Sequence, residues 1–336
     1  MKAAFYKGNR TVSVGDCVPV EPRLDEVRIK VSHCGICGTD LHIFHGSMDQ
    51  RVQMPAILGH EMSGEISSIG DGVDGWAVGD PVTVMPLDFG PKPPKGHSHI
   101  AEFMKFMGID SPGAFQSYWT VPARTLFRLP PNLSPAHGAL VEPLAVACHD
   151  VRLGEVHPGE EVVVIGGGPI GTLVALVARQ AGGHVLVSEV NPFRVEKARQ
   201  LGLDAVNPTE DDLAQTVLDR TNGRGADVVF EVSGSAAGAA AMTELLRIRG
   251  RIVVVAVFAN KPAVDLWKFF WKELRLCGAR VYEAEDYDAA IALAASGELP
   301  LDGLITATTS LEHLQEGFET MDSGGECMKI LIDVQA

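Results

Sequence analysis

The sequence predicts an α/β protein: a β-rich first part followed by a doubly wound parallel sheet. Three observations carry this. Short alternating segments separated by Gly, Asp and Pro fill the first 130 or so positions. Beyond about residue 150, continuous apolar runs alternate with helix-like segments. Where that second pattern begins, a strand-like run ends in the glycine-rich turn Gly166-Gly167-Gly168-Pro169-Ile170-Gly171.

Among the early segments, EVRIKVS (26–32), GEISSIG (64–70) and DPVTVMP (80–86) alternate apolar and polar residues, as strands of a barrel or sandwich do. In SPAHGALVEPLAVACHD (134–150) a Ser cap is followed by Pro, a helix start, and Pro143 predicts a kink or restart. EVVVIG (161–166) reads as a strand buried on both faces. Helices are expected over 169–181, 192–201, 211–219 and 235–247. The alternating strands are HVLVSEV (184–190), DAVN (204–207), ADVVFEV (226–232), RIVVVAV (251–257) and LRLCGARVY (274–282). The last fifty or so residues return to mixed α and β, and the chain holds no internal repeat.

The 336 residues are enough for about two domains. At 46% hydrophobic and 21% charged, they have the make-up of an ordinary globular protein. The net charge of −15 argues against nucleic acid and anionic lipid as partners, and a strongly negative substrate would need local positive charge. MKAAFYKGNR lacks the apolar core of a signal peptide, and the longest uncharged run, Val162 to Ala178, is too short and glycine-rich for a membrane span. A cytoplasmic protein is expected. Six scattered cysteines in such a chain do not read as a disulfide framework.

The glycine loop stands where a dinucleotide would need it, between a strand ending at Ile165 and a helix opening at about Pro169. Gly166 allows the tight turn, Gly168 lets a pyrophosphate approach, and Gly171 lets the helix pack on the strand, while Pro169 and Ile170 open the helix whose amides face the phosphates. Glu189 ends the next strand, 18 residues after Gly171, and suits both hydroxyls of an adenosine ribose. It would repel a 2′-phosphate, which favours NAD over NADP; Arg194, five residues on, leaves room for some NADP tolerance.

Cys34-Gly-Ile-Cys37, followed by Thr39, Asp40, His42 and then His60-Glu61, admits three readings. A redox CxxC needs a βαβ context, but this segment lies in the β-rich part. A structural zinc needs four closed ligands, and no second CxxC exists. A catalytic zinc needs three protein ligands and an open position, which Cys37, His60 and one carboxylate can supply.

Together and in order, Cys37-Gly-Thr-Asp-Leu-His42, Gly59-His60-Glu61, Glu142-Pro143-Leu144 and the Gly166–Gly171 loop resemble the zinc-dependent medium-chain alcohol dehydrogenase superfamily, above all its sorbitol/polyol, butanediol and threonine dehydrogenase branch. The resemblance implies a GroES-like catalytic domain, residues 1–148 and 285–336, split around a Rossmann NAD-binding domain, 149–284, with the active site in the cleft between them. It implies Cys37 and His60 as zinc ligands, Glu61 or Glu142 completing the shell, and Thr39 and His42 relaying the alcohol proton. Asp40 would orient a ligand. The implied reaction oxidises a secondary alcohol of a polyol, sugar or vicinal diol to a ketone with hydride transfer to NAD. An L-threonine 3-dehydrogenase or an NADP-linked carbonyl reductase are alternatives in the same superfamily; a non-catalytic binding or structural member is disfavoured by the intact ligand set.

Many relatives hold a second, structural zinc with four cysteines in a lobe. The corresponding stretch, DFGPKPPKGHSHIAEF (88–103), has none, so one zinc per chain is expected, with Pro91, Pro93 and Pro94 stiffening the loop. His97 and His99 are expected to be solvated. A homo-oligomer follows from the resemblance, a tetramer or else a dimer. Cys34 is expected to be a packed thiol, Cys148, Cys277 and Cys327 inert, and Phe44, Phe103, Trp119 and Phe258 either core or pocket lining.

Overall fold

The ten-residue strand Glu26–Gly35 is the spine of the first unit, its apolar positions Val27, Ile29 and Val31 buried in alternation. The computed structural model describes residues 1–90 and 97–336; the prolines expected to stiffen the 88–103 stretch lie outside the described residues. The chain forms two units, Met1–Glu142 with Glu283–Ala336, and Pro143–Tyr282.

The first unit is built on a seven-stranded sheet. Its order is Ile305–Ser310, Lys329–Asp333, Glu26–Gly35, Glu61–Ile69, Pro81–Val84 and Leu126–Arg128, with Tyr118–Pro122 also pairing to the spine. All its pairs are antiparallel except the first. Register matters most at the end of the spine. Gly35 lies opposite Glu61, and on the other side Cys34 pairs with Ile332 and Gly35 with Leu331. The chain then turns at Cys37 into the short helix Gly38–Phe44. Asp40 closes that turn, its carboxylate accepting from the Cys37 amide at 3.0 Å.

The second unit is a six-stranded, wholly parallel sheet. In space the strands run Asp204–Val206, His184–Ser188, Glu161–Ile165, Ala226–Glu231, Leu246–Val254 and Arg275–Gly278, the doubly wound order 3-2-1-4-5-6. Its valine-rich central strands are buried on both faces, as a parallel sheet under helices requires. The helices Pro169–Gln180, Pro192–Gln200, Leu213–Arg220 and Ala236–Glu244 fall where periodicity predicts them.

Some elements differ from the sequence expectation, and several strands are shorter than their apolar runs. The break in 134–150 comes before Pro143: Pro135–Gly138 ends and Val141–Leu153 begins, leaving Pro143 in a first turn whose amides need no intrahelical acceptor. The helix expected to reach 247 stops at Glu244, and the next strand starts at Leu246. The helix Leu266–Lys272 was not anticipated. LWKFFWK buries none of its residues and so has no apolar period to reveal it; Asp265 caps it by accepting from the Trp267 and Lys268 amides. Among the described residues no helix is long and apolar enough to cross a membrane.

Candidate active site

The end of the spine strand, the short helix after it and the start of the Glu61–Ile69 strand bring Cys37, His60 and Glu61 together, with one ligand atom of each within 4.8 Å of the others. His60 and Glu61 are buried and Cys37 is half-buried. A tetrahedral zinc would set sulfur and nitrogen about 3.5 Å apart, from bonds of roughly 2.3 and 2.0 Å. The trio therefore needs little contraction to close on one ion.

His60 carries the clearest sign of an incomplete site. Its Nδ1 is buried with no hydrogen-bond partner among the described residues, the nearest carboxylate oxygen being Asp40 Oδ1 at 3.7 Å. Burial presses the imidazole towards its neutral form, but Asp40, Cys37 and Glu142 outweigh it and hold the pKa well above the ordinary histidine value. Asp40 is itself fully buried and is pushed up by burial, against the imidazole of His60 and the amides of Cys37 and Gly59. Asp40, Glu61 and Glu142 are all buried, and among the described residues the buried ammonium beside Glu61 is that of Lys329. That excess of negative charge suits a bound cation.

Lys329 is the residue the sequence reading missed. Its Nζ lies 2.8 and 2.7 Å from the two oxygens of Glu61 and 3.1 Å from the carbonyl of Ile36. Burial alone would lower its pKa; Glu61, then Cys37 and Glu142, raise it above the ordinary lysine value. The available signal was a lysine inside an otherwise apolar strand, MKILI.

Cys34 is fully buried, packed beside Gly59 and outside the trio. Thr39 and His42 share the Gly38–Phe44 helix at i and i+3, hence one face, Thr39 half-buried and His42 exposed. Phe44 stacks on Phe318 at 5.0 Å and Trp119 donates Nε1–H to the Pro112 carbonyl, so both are core, whereas Phe103 is exposed. One expectation is corrected: His97 is exposed, but His99 is buried, its Nδ1 3.6 Å from Glu283, because the turn Ser98–Ile100 carries it inward.

In the second unit, Gly166 takes a φ of 104°, which a side chain would strain. Gly168 caps the helix Pro169–Gln180, and a Cβ on Gly171 would lie 1.8 Å from the Gly166 carbonyl oxygen. Glu189 is buried against this loop. Oε2 accepts from the Gly167 amide at 2.7 Å and Oε1 from the Asn191 amide at 2.8 Å. Arg194, in the first turn of the next helix, reaches beside Gly168. Loop, acid and arginine thus converge at the carboxyl end of the sheet, where a doubly wound fold binds its ligand.

A doubly wound unit with this loop, joined to a unit holding a buried thiol, imidazole and carboxylate, defines a metal-assisted dehydrogenase. Residues 23–131 match the family model of the alcohol dehydrogenase GroES-like domain, and residues 169–296 that of the zinc-binding dehydrogenases. The chain is 51% identical to a 2-dehydro-3-deoxy-L-galactonate 5-dehydrogenase of Pseudoalteromonas atlantica, covering 100% of this chain and 99% of that one. It is 34% identical to an L-threonine 3-dehydrogenase of Pyrococcus horikoshii, over 92% and 89% of the two chains. A crystal structure of 2R,3R-butanediol dehydrogenase from Bacillus subtilis superposes with a TM-score of 0.93 at 32% identity, covering 99% of each chain. The chain belongs to the zinc-dependent medium-chain alcohol dehydrogenase superfamily, and it is an oxidoreductase acting on a secondary alcohol of the polyol, sugar or diol class.

Proposed function

We propose that this chain uses NAD to oxidise a secondary hydroxyl of a 2-keto-3-deoxy sugar acid to a ketone, at a single zinc held by Cys37 and His60, with Glu61 or Glu142 completing the shell. The reaction rests on one observation: a thiol, an imidazole and a carboxylate converge, buried, within 4.8 Å. The substrate class rests on the 51% identity to the galactonate-derivative dehydrogenase, well above the 34% to the threonine enzyme.

Bound zinc would act as a Lewis acid on the alcohol oxygen, lowering the pKa of the hydroxyl. The chain's own residues do the rest. Asp40 holds the Cys37 amide, fixing that ligand, and its carboxylate stands 3.7 Å from the imidazole of His60. Thr39 takes the hydroxyl proton and His42, on the same face and exposed, passes it outward. In the second unit, the amides after Gly168 take the pyrophosphate. Glu189 turns from the Gly167 amide to the ribose hydroxyls, which disfavours a 2′-phosphate; Arg194 beside Gly168 neutralises phosphate charge. The protein works in the cytoplasm as a homotetramer.

The test is NADH formation from 2-dehydro-3-deoxy-L-galactonate, sorbitol, butanediol and threonine, with NAD and with NADP, repeated after zinc chelation and for Cys37→Ser. Turnover of the sugar acid with NAD, abolished by both treatments, is the expected result. Turnover that survives metal removal would defeat the zinc mechanism, and preference for threonine would defeat the substrate assignment.

A further inference from the structure

Glu231 is a buried acid held by neutral groups. It is 0% exposed and closes the strand Ala226–Glu231 at the carboxyl end of the parallel sheet. Oε1 accepts from the Ser233 hydroxyl and, at 3.2 Å, from the Ser233 amide; Oε2 accepts from the Gly234 amide at 3.2 Å. Burial pushes its pKa above the ordinary glutamate value, and only the groups of Ser233 and Gly234 act the other way, with no cation among them. Among the described residues no lysine, arginine or histidine cancels this charge, and a charge buried without a partner is costly.

The loop that follows fixes this state. The Ser233 hydroxyl gives its one proton to Glu231, so it accepts from the Ser235 amide at 3.2 Å and from the Ser235 hydroxyl at 2.9 Å; Ser235 Oγ in turn accepts from the Gly238 amide at 2.9 Å. A Cβ on Gly238 would lie 2.4 Å from Glu231 Oε1, so the acid sits against the first turn of the helix Ala236–Glu244, whose amide end favours the ionised form. The same loop touches the glycine turn, since a Cβ on Gly166 would lie 2.9 Å from the Ser233 nitrogen. Register sets the order across the sheet. Ile165, just before that turn, pairs on one side with Ser188, next to Glu189, and on the other with Glu231. A dinucleotide crosses a doubly wound sheet where the strand order reverses. With its adenosine ribose on Glu189 and its pyrophosphate on the glycine turn, its nicotinamide half runs on past the end of the Glu231 strand.

Resting on the NAD site proposed above, we propose that Glu231 sets the balance between oxidised and reduced cofactor, its uncancelled negative charge favouring the cationic pyridinium ring of NAD over the neutral dihydropyridine of NADH. In the reaction a hydride leaves the alcohol carbon with its electron pair and adds to the ring, which loses its positive charge, while the hydroxyl proton departs. Alcohol and NAD become ketone, NADH and a proton. Glu231 takes no part in that transfer. It acts at a distance, through its charge, by holding NAD in the site and letting NADH go, which favours oxidation of the alcohol.

The experiment measures the Kd of NAD by calorimetry and that of NADH by fluorescence titration, for the full chain and for Glu231→Asp, Glu231→Gln and Ser233→Lys. The readout is the ratio of the NADH Kd to the NAD Kd, from which contacts shared by the two forms cancel. Glu231→Gln should lower that ratio about five- to fifteenfold, the weight of one charge across roughly 10–15 Å at the effective dielectric of a protein. Glu231→Asp keeps the charge and should keep the ratio, even where both affinities fall. Ser233 is exposed, so Ser233→Lys sets an ammonium beside the acid and should lower the ratio as Glu231→Gln does; it decides the matter if Glu231→Gln does not fold. Equal weakening of NAD and NADH in Glu231→Gln would overturn the proposal, because the acid would then only brace its loop, and so would unchanged affinities. A parent chain that binds neither form, or binds NADP alone, would defeat the reading of the cofactor site itself, and the proposal with it.

Discussion

Gly168 and Gly171 stand three positions apart in one loop, and replacing each by alanine should break the protein in different ways. At Gly171 a Cβ would lie 1.8 Å from the Gly166 carbonyl oxygen and 2.9 Å from its carbon. Ordinary contact is about 3.5 Å, so the helix Pro169–Gln180 would have to move by more than an ångström from the strand before it. Overpacking of this kind costs about 1–3 kcal/mol, and the obstacle here is backbone, which cannot rotate aside. At Gly168 the nearest atom is Arg194 Nη1 at 3.6 Å, and the φ of −66° suits alanine. Gly168→Ala should therefore fold as the parent does. Its methyl group instead fills the space where a pyrophosphate would approach. Losing one charge-assisted hydrogen bond to the phosphates costs about 1.5–3 kcal/mol, roughly a ten- to hundredfold rise in the Kd for NAD. Denaturant midpoints and NADH fluorescence titrations separate the two outcomes. Equal stability loss in both variants, or unchanged NAD affinity in Gly168→Ala, would refute the reasoning.

Glu189→Ser removes the group that would repel a 2′-phosphate, and the ratio of kcat/KM for NADP to that for NAD should rise about tenfold, ~1.4 kcal/mol; paired rates with the two cofactors check it. Thr39→Val should lower kcat by about a hundredfold or more, the usual weight of a proton-transfer group. His42→Ala should lower it less and change the pH profile, with metal content unchanged in both by elemental analysis. Tyr6 is held up to about 12 by its burial and by Asp49, to which its hydroxyl donates. A raised pKa favours the protonated form in the fold, so its stability is whole below the ordinary tyrosine value of 10.0 and is lost as pH climbs from there through about 12. Alkaline absorbance titration of the parent against Tyr6→Phe should isolate that ionisation, and the variant should show a shallower alkaline loss of stability.

Much of the second unit was legible because its pattern is local. A run such as EVVVI ending in glycines, followed by a helix period, states strand, turn and helix within a dozen residues, and Glu189 follows at the next strand end. Leu266–Lys272 was illegible for the same reason in reverse. Its helix depends on the Asp265 cap and none of its residues is buried, so its aromatic run has no period to read. His99 was misjudged because its polar neighbours suggested solvent, while a single turn of backbone carries it inside.

The first unit shows where local reading stops. Cys37, His60 and Glu61 were legible only together, since a lone cysteine is usually core and a lone His-Glu pair a surface feature; their order along the chain with the glycine loop is what pointed to a metal. What could not be read is which atoms Glu61 would face, because that follows from pairing between strands some 270 positions apart. Lys329 in MKILI looks like a solvated lysine until register puts it across the spine from Glu61, whose carboxylate fills the gap above Gly35. A buried lysine needs its acid, a buried acid needs its base or a metal, and here one carboxylate meets both demands. The same argument makes Gly35 part of the site although it bears no chemistry. Any side chain there would displace Glu61, and with it the partner of Lys329.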